Sequence, residues 1–338
     1  MAIFTDVFED VTKQGRKIPT GDYHEAGLHP IIDQGQNEIA GYTDETDGLF
    51  TDVPAIIFGD HTRVLKYVDT PCFLGADGVK LLKAKILNPN YKYLYYVLSN
   101  ANIPNTGYNR HYKWLKEVEI PLPSEAEQQK IVDTLDKISA LIVLRKEQLA
   151  KLDQLVKSRF IELFGDPIRN TQNRPTTDFI NVVKMQRGFD LPVQDRQQDG
   201  DIPVFGSNGA LDRHNVAKVQ GGGVITGRSG TIGKVYYTEG DYWPLNTSLF
   251  SVDTHGNNII YLAYLLQMYD LSRFTEGTGV PTLNRNKFHD KPIIDVPLNE
   301  QEQFAVFVKQ TDKSKLAIQA SLDKLETLKK SLMQQYFG

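Results

Sequence analysis

Two short stretches of this chain mix amide, basic and aromatic side chains in loop-like surroundings. They are Gly107-Tyr108-Asn109-Arg110-His111-Tyr112-Lys113 and Leu283-Asn284-Arg285-Asn286-Lys287. Arg, Lys, Asn and Gln pair with base edges and with phosphate oxygens, so these residue types point to nucleic-acid contact. A second pair of stretches, Asp60-His61-Thr62-Arg63 and Arg228-Ser229-Gly230-Thr231, occupies matched hairpin positions between strand-like runs. Asn109-Arg110 and Asn284-Arg285 read as one repeated pair, which predicts a shared role: bracing each globular unit or holding phosphate. The unmatched residues His61, Arg63, Arg228 and Ser229 are the candidates for base reading, and Tyr108, Lys113 and Lys287 complete the contact set.

Other apparent motifs weigh less. Gly227 to Lys234 has the flavour of a phosphate loop, but Arg228 stands where the first glycine belongs and Val235 follows the lysine. A hairpin turn is the better reading. Asn88-Pro89-Asn90-Tyr91 resembles the Asn-Pro-Pro-Tyr motif of adenine-N6 methyltransferases. Its counterpart Gly256-Asn257-Asn258-Ile259 lacks the motif and also precedes a helix-like run, which predicts a helix cap. No glycine-rich strand–loop–helix for a methyl donor lies upstream. The seven histidines show no metal-ligand spacing, so no metal and no cofactor are expected.

What must position these residues is a repeat. Residues 120–165 are written again at 295–338. Glu125, Glu127 and Gln128 match Glu300, Glu302 and Gln303, whereas Leu149, Leu152, Leu155, Phe164 and Gly165 match Leu322, Leu325, Leu328, Phe337 and Gly338. The register slips by two residues between these anchors. In each copy a narrow apolar stripe, Ile131 to Leu163 and Phe304 to Leu332, predicts a long helix whose cheapest partner is the other copy, packed antiparallel as a coiled coil. Ser124 with Glu127, and Asn299 with Glu302, read as capping boxes, and Gly165 as a helix stop.

The preceding segments repeat more faintly. Phe8–Val11 matches Phe179–Val182, residues 29–32 match 202–205, and Ile57-Phe58-Gly59 matches Ile225-Thr226-Gly227. The expected order is a globular unit at 1–122, a helix at 123–165, a linker at 166–178, a second unit at 179–298 and a helix at 299–338. Within each unit short strands (Ala55–Phe58, Val224–Thr226, residues 234–237) and one helix (Tyr91–Leu98, Ile259–Met268) predict a mixed α/β or α+β fold. The molecule is then two similar halves with a pseudo-twofold relation.

Bulk properties bound the function. At 338 residues and 40% hydrophobic content the chain can bury two cores. One cysteine, Cys72, excludes a disulfide framework and points to a reducing, cytoplasmic setting. The acidic amino-terminal stretch does not read as a signal peptide, and no segment approaches the length of a membrane span. The net charge of −4 counts mildly against nucleic acid but does not exclude a segregated basic face.

Taken together, the helix copies, the PLPSEAEQQKIV opening, the KSRFIELFGDP ending and the GTGVPTLNRNKF stretch resemble the specificity subunit of type I restriction–modification systems. The resemblance covers essentially the whole chain. It implies that each globular unit is a target-recognition domain reading one half of a split double-stranded DNA sequence, and that the helices fix the spacing. It implies a subunit without catalytic activity that docks two methyltransferase subunits, joined by two motor–nuclease subunits. The alternative is a DNA adenine-N6 methyltransferase carrying its own recognition domain.

Overall fold

The computed structural model describes residues 1–75, 77–107, 109–277 and 281–338. The chain divides into two compact units. Unit 1 comprises residues 1–144 with 321–338, and unit 2 comprises residues 145–320.

Unit 1 contains β1 (Ala2–Ile3), α1 (Phe4–Val7), β2 (Phe8–Asp10), β3 (His29–Ile32), β4 (Gly41–Thr43), β5 (Ala55–Gly59), β6 (Leu65–Val68), β7 (Phe73–Leu74), β8 (Val79–Ala84), α2 (Tyr91–Asn100), α3 (Tyr112–Leu115), β9 (Glu119–Ile120) and the first half of α4 (Glu125–Phe164). One sheet runs β2-β8-β5-β6, all antiparallel, and a second runs β4-β3-β7 with β3 and β7 parallel. β5 is apolar without alternation because both of its faces are covered: Ile56 and Phe58 join the core under α2, whereas Ala55 and Ile57 join the core beneath Phe50 and Leu74. β1 pairs with β9 and clasps the two ends of the globular part together.

Unit 2 repeats this plan. It contains the second half of α4, β10 (Thr176–Asp178), α5 (Phe179–Val182), β11 (Lys184–Arg187), β12 (Ile202–Gly206), β13 (Gly209–His214), β14 (Gly223–Gly227), β15 (Val235–Thr238), β16 (Trp243–Pro244), β17 (Ser248–Asp253), α6 (Ile259–Tyr269), β18 (Thr275–Glu276), β19 (Thr282–Leu283), β20 (Pro292–Ile294) and the first half of α7 (Leu298–Phe337). Its sheets run β11-β17-β14-β15 and β13-β12-β16, and β10 clasps β20. The expected matches between residues 29–32 and 202–205, and between 57–59 and 225–227, hold in the strand pairings. The match of Phe8–Val11 with Phe179–Val182 does not hold. The single-turn helix Phe179–Val182 answers to Phe4–Val7, each following a clasp strand, while Phe8 opens a strand.

The long helices correct the expected register. α4 and α7 are each 40 residues long. Gln128 donates to the Pro123 carbonyl at 3.0 Å, and Gln301 donates to the Val296 carbonyl at 2.7 Å, each reaching five residues back. Gln128 therefore matches Gln301, not Gln303, and one constant offset relates the two helices from end to end with no slip. The Ser124–Glu127 capping box is present: Ser124 N–H donates to the Glu127 carboxylate at 3.1 Å, and Glu127 N–H to Ser124 Oγ at 3.4 Å. The Ser124 hydroxyl, donating to the Glu127 carboxylate at 2.7 Å, and then the Ser124 N–H hold that carboxyl below its usual range. Asn299 is not a cap. The helix starts a residue earlier, with the Pro297 carbonyl accepting from Glu300 and Gln301 N–H.

Within each unit the two helix segments run antiparallel. In unit 1 Val132 and Leu135 pack with Leu332, Met333 and Phe337, and in unit 2 Val156, Phe160 and Phe164 pack with Phe304 and Val308. Phe160 and Phe164 meet Phe304 edge-on with ring centres 5.5 and 5.6 Å apart. Edge-on aromatic pairs add about 0.5–1.5 kcal/mol each beyond area burial. Gly165, at φ +77°, ends α4 as expected. The following loop folds back on the helix end: Arg174 donates to the Leu163 carbonyl at 2.6 Å and pairs with Glu300 at 2.7 Å.

Candidate nucleic-acid interface

The equivalent site in each unit forms where the central hairpin meets the segment leading to the clasp. The β5–β6 hairpin begins at Gly59 and the β14–β15 hairpin at Gly227. A Cβ at Gly227 would lie 1.7 Å from the Thr231 carbonyl oxygen, so that hairpin folds back too tightly for any side chain there, whereas one at Gly59 would meet Thr62 Oγ1 at 2.2 Å and Gln34 Cβ at 2.8 Å. The Gly227–Lys234 stretch is thus a hairpin, not a phosphate loop.

Position by position the two sites diverge. In unit 2 the Arg228 carbonyl accepts from Leu283 N–H at 2.8 Å; in unit 1 the Asp60 carbonyl accepts from His111 N–H at 2.7 Å. His111 therefore answers to Leu283, and Tyr112-Lys113 answers to Asn284-Arg285. The pairing of Asn109-Arg110 with Asn284-Arg285 is a coincidence of residue type. Asn109 sits in an exposed local turn with its amide on the Thr106 carbonyl, and Arg110 is exposed beside it. Asn284 instead caps a short 3₁₀ turn, accepting from Asn286 N–H at 3.1 Å. Tyr108 lies outside the described residues.

In unit 2, Arg187, Arg228 and Arg285 line one cleft of about 280 Å³, together with Asn284, Asn286 and Glu276. Glu276 is engaged by Lys287 at 2.7 Å. Among the described residues none of the three guanidiniums has a carboxylate within ion-pair distance, in contrast to Arg174 on Glu300 and Arg196 on Asp212. Ser229 is held by its N–H on the Thr247 carbonyl and by a bridge to Thr282. Arg187 was not among the expected contacts. It reaches the cleft because β11 pairs with β17, opposite Leu249, and nothing local in the sequence announces that partner.

The same place in unit 1 is more self-contained. Asp60, 4% exposed, accepts from Tyr112 N–H at 2.7 Å. Lys80 pairs with Asp10 at 2.8 Å and lies 5.0 Å over the Tyr112 ring. Burial alone would raise the Asp10 carboxyl, but bonds from Lys80 and Thr12 outweigh it and hold the group below its ordinary range. Burial pushes the Tyr112 hydroxyl up to about 12. His61 N–H donates to the Gln34 amide oxygen at 3.2 Å. Arg63 takes a left-handed backbone at φ +63° and donates one guanidinium nitrogen to the Ile103 carbonyl at 3.2 Å, so part of its fork braces the neighbouring loop. Lys113 is exposed and rests 4.1 Å from the centre of the Trp114 ring.

The Asn88–Tyr91 segment is a cap in both units. Asn90 accepts from Tyr93 N–H at 3.1 Å at the start of α2, and Asn258 accepts from Ile260 and Tyr261 N–H at 3.0 and 3.2 Å at the start of α6. The Asn90 amide also donates to Gln129 at 3.1 Å, so both ends of that side chain are committed.

A fold written twice, each copy ending on half of a shared helix pair, is matched by the type I restriction modification DNA specificity domain, over residues 4–154 and again over 169–329. The chain belongs to that family. The specificity subunit of the type I restriction enzyme EcoR124I/EcoR124II of Escherichia coli is 32% identical over 133 residues, covering 36% of this chain and 33% of that protein. The chain thus aligns with about a third of the length of that curated relative. The crystal structure of the S subunit of a type I restriction–modification system from M. genitalium superposes with a TM-score of 0.67 at 16% identity, over 100% of this chain and 95% of that one. A structure from work on complex assembly and conformational transition of the type I system gives 0.57 at 14% identity, over 99% and 95%. These likenesses concern the fold of the family. No helix among the described residues is long and apolar enough to cross a membrane.

Proposed function

We propose that this chain is the sequence-reading and assembly subunit of a type I restriction–modification complex, without chemistry of its own. Unit 1 and unit 2 each read one half of a bipartite double-stranded DNA target in the cytoplasm. The observation that carries this reading is divergence on a repeated scaffold: the Asn90 and Asn258 caps, the clasps and the strand order match, while the residue after the hairpin glycine changes from Asp60 to Arg228. Shared architecture with different side chains at the contact position is what two readers of different bases require.

The helices set the distance between half-sites and dock the partner subunits. Val143 and Leu316 are exposed at matching repeat positions, as are Leu155 and Leu328, with 54, 71, 48 and 47% of their surface open. Matched apolar positions suit two copies of one partner, here two methyltransferase subunits, with two motor–nuclease subunits completing the complex. The methyltransferase alternative is not favoured, because the family match is to the DNA specificity domain in both halves and the Asn88–Tyr91 segment leads into a capped helix as its counterpart at Asn258 does.

The test is a unit exchange. Residues 179–298 are replaced by the corresponding segment of a relative with a different target, and methylation is mapped across a genome carrying the complex. The expected outcome is a motif in which one half changes and the other stays. A motif changed in both halves would defeat the reading.

A further inference from the structure

Among the described residues none of the three arginines in this cleft has a carboxylate within ion-pair distance, so they repel one another, and the lining carboxylate Glu276 is engaged by Lys287. Such a cleft is completed by an electronegative ligand, and on the reading proposed above that ligand is DNA. The three are not held alike. Arg187 is exposed at a strand end, and Arg285 is half-buried in the 3₁₀ turn. Arg228 is clamped on both sides: its N–H donates to the Thr247 carbonyl at 2.9 Å, and its carbonyl accepts from Leu283 at 2.8 Å. Gly227 before it is locked by the Thr231 carbonyl, and Ser229 after it is bridged to Thr282.

A phosphate is satisfied by a positive charge within reach, and such a contact tolerates a loosely placed side chain. A base edge asks more, because two N–H groups must meet two acceptors at once. Guanine alone presents two adjacent acceptors, O6 and N7, in the major groove. Adenine and cytosine place an amino donor there, which opposes a guanidinium, and thymine offers one acceptor beside a methyl group. We infer that Arg228 reads a guanine in the half-site of unit 2, with Arg187 and Arg285 on the flanking phosphates. Unit 1 makes no equivalent contact, since Asp60 at the matching position is buried and bonded to its own fold.

The inference rests on the proposed function, and the experiment separates the two. The assembled complex is titrated with target duplexes in which each guanine in turn is replaced by 7-deazaguanine, which lacks the N7 acceptor. The unit exchange identifies which half-site belongs to unit 2. For the unaltered protein, affinity falls on the order of tenfold or more at one guanine of that half-site. Arg228→Gln, which keeps a polar side chain but is shorter and uncharged, loses affinity for the natural duplex by a similar factor. It then shows no further loss from 7-deazaguanine at that same position, because one contact cannot be removed twice. Its response at guanines of the other half-site is unchanged.

The inference is overturned if the unit 2 half-site holds no guanine or no sensitive guanine, a result obtained with the unaltered protein whether or not the variant folds. It is equally overturned if Arg228→Gln weakens binding to specific and non-specific duplexes alike and lowers the salt dependence by about one phosphate contact. A complex with no preference for any sequence would instead defeat the proposed function.

Discussion

Units 1 and 2 are most alike where they meet the helices and least alike where the hairpin opens to solvent. At the helix side the same side chains do the same work: Asn90 and Asn258 cap α2 and α6, and Gln128 and Gln301 reach back to a carbonyl five residues earlier. At the hairpin side unit 1 has a buried, internally bonded Asp60 where unit 2 has Arg228, without an ion-pair partner among the described residues, on an equivalent backbone frame. The difference teaches that the frame is held by backbone bonds and glycines, which leaves the side chain after the glycine free to change its charge.

The strongest way to sharpen this comparison is to lengthen what the units share. A seven-residue insertion keeps the apolar stripe in phase, whereas three or four residues rotate it. Matched insertions after Leu152 and Leu325, which occupy the same repeat position, add about 10 Å of helix, roughly three base pairs of duplex. The expected product folds, assembles and methylates both original half-sites with a wider gap. An unchanged gap in an active complex would show that partner subunits, not the helices, space the readers.

A smaller effect probes the shared glutamines, which are less alike in detail. Gln301 donates to Asn257 at 2.6 Å and to Val296 at 2.7 Å, and accepts from Asn258 N–H at 2.8 Å. Gln128 has one such bond, to the Pro123 carbonyl at 3.0 Å. Gln301→Ala strands one buried and two half-buried partners and should cost about 2–4 kcal/mol, against about 1 kcal/mol for Gln128→Ala. Hydrogen exchange read by mass spectrometry localises each loss to its own unit. Equal losses would remove the asymmetry.

The smallest effect is a response to acid confined to unit 2. His289 accepts from Met185 N–H at 3.2 Å. Burial first, then the charges of Arg285 and Lys184, push its pKa below the ordinary 6.5. The folded state therefore binds fewer protons than the unfolded one between the two values. Its stabilising contribution is complete above the ordinary value and is lost as pH falls from there through the lowered one. Between pH 7.5 and 5 the denaturation midpoint of unit 2 should fall in the natural protein and stay closer to level in His289→Gln. Identical slopes in the two proteins would dismiss the histidine.

The parts of this molecule that were legible in the sequence are those controlled locally. The α4 stripe, the Ser124 capping box, the Gly165 stop and the apolar run of β5 depend on neighbours within a few residues, and each lies where its pattern places it. The readings that failed needed a long-range fact. The Glu- and Gln-rich helix openings match almost as well when slid by two residues, and only the Gln301 bonds decide between the alignments. Asn109-Arg110 and Asn284-Arg285 share letters but not positions, because equivalence is set by which backbone N–H meets the residue after the hairpin glycine. Arg187 enters the cleft through a strand partner more than sixty residues away in sequence, Leu249.

The way the helices are divided between the units also orders events at the ribosome. Unit 2 is one continuous stretch, whereas unit 1 needs residues 321–338, where Phe337 packs on Tyr93 with ring centres 5.7 Å apart. Those residues are translated after every residue of unit 2. Domains emerging from the ribosome usually fold in the order of synthesis. Here the half that begins first must wait, its helix groove open, until the half made after it is already complete.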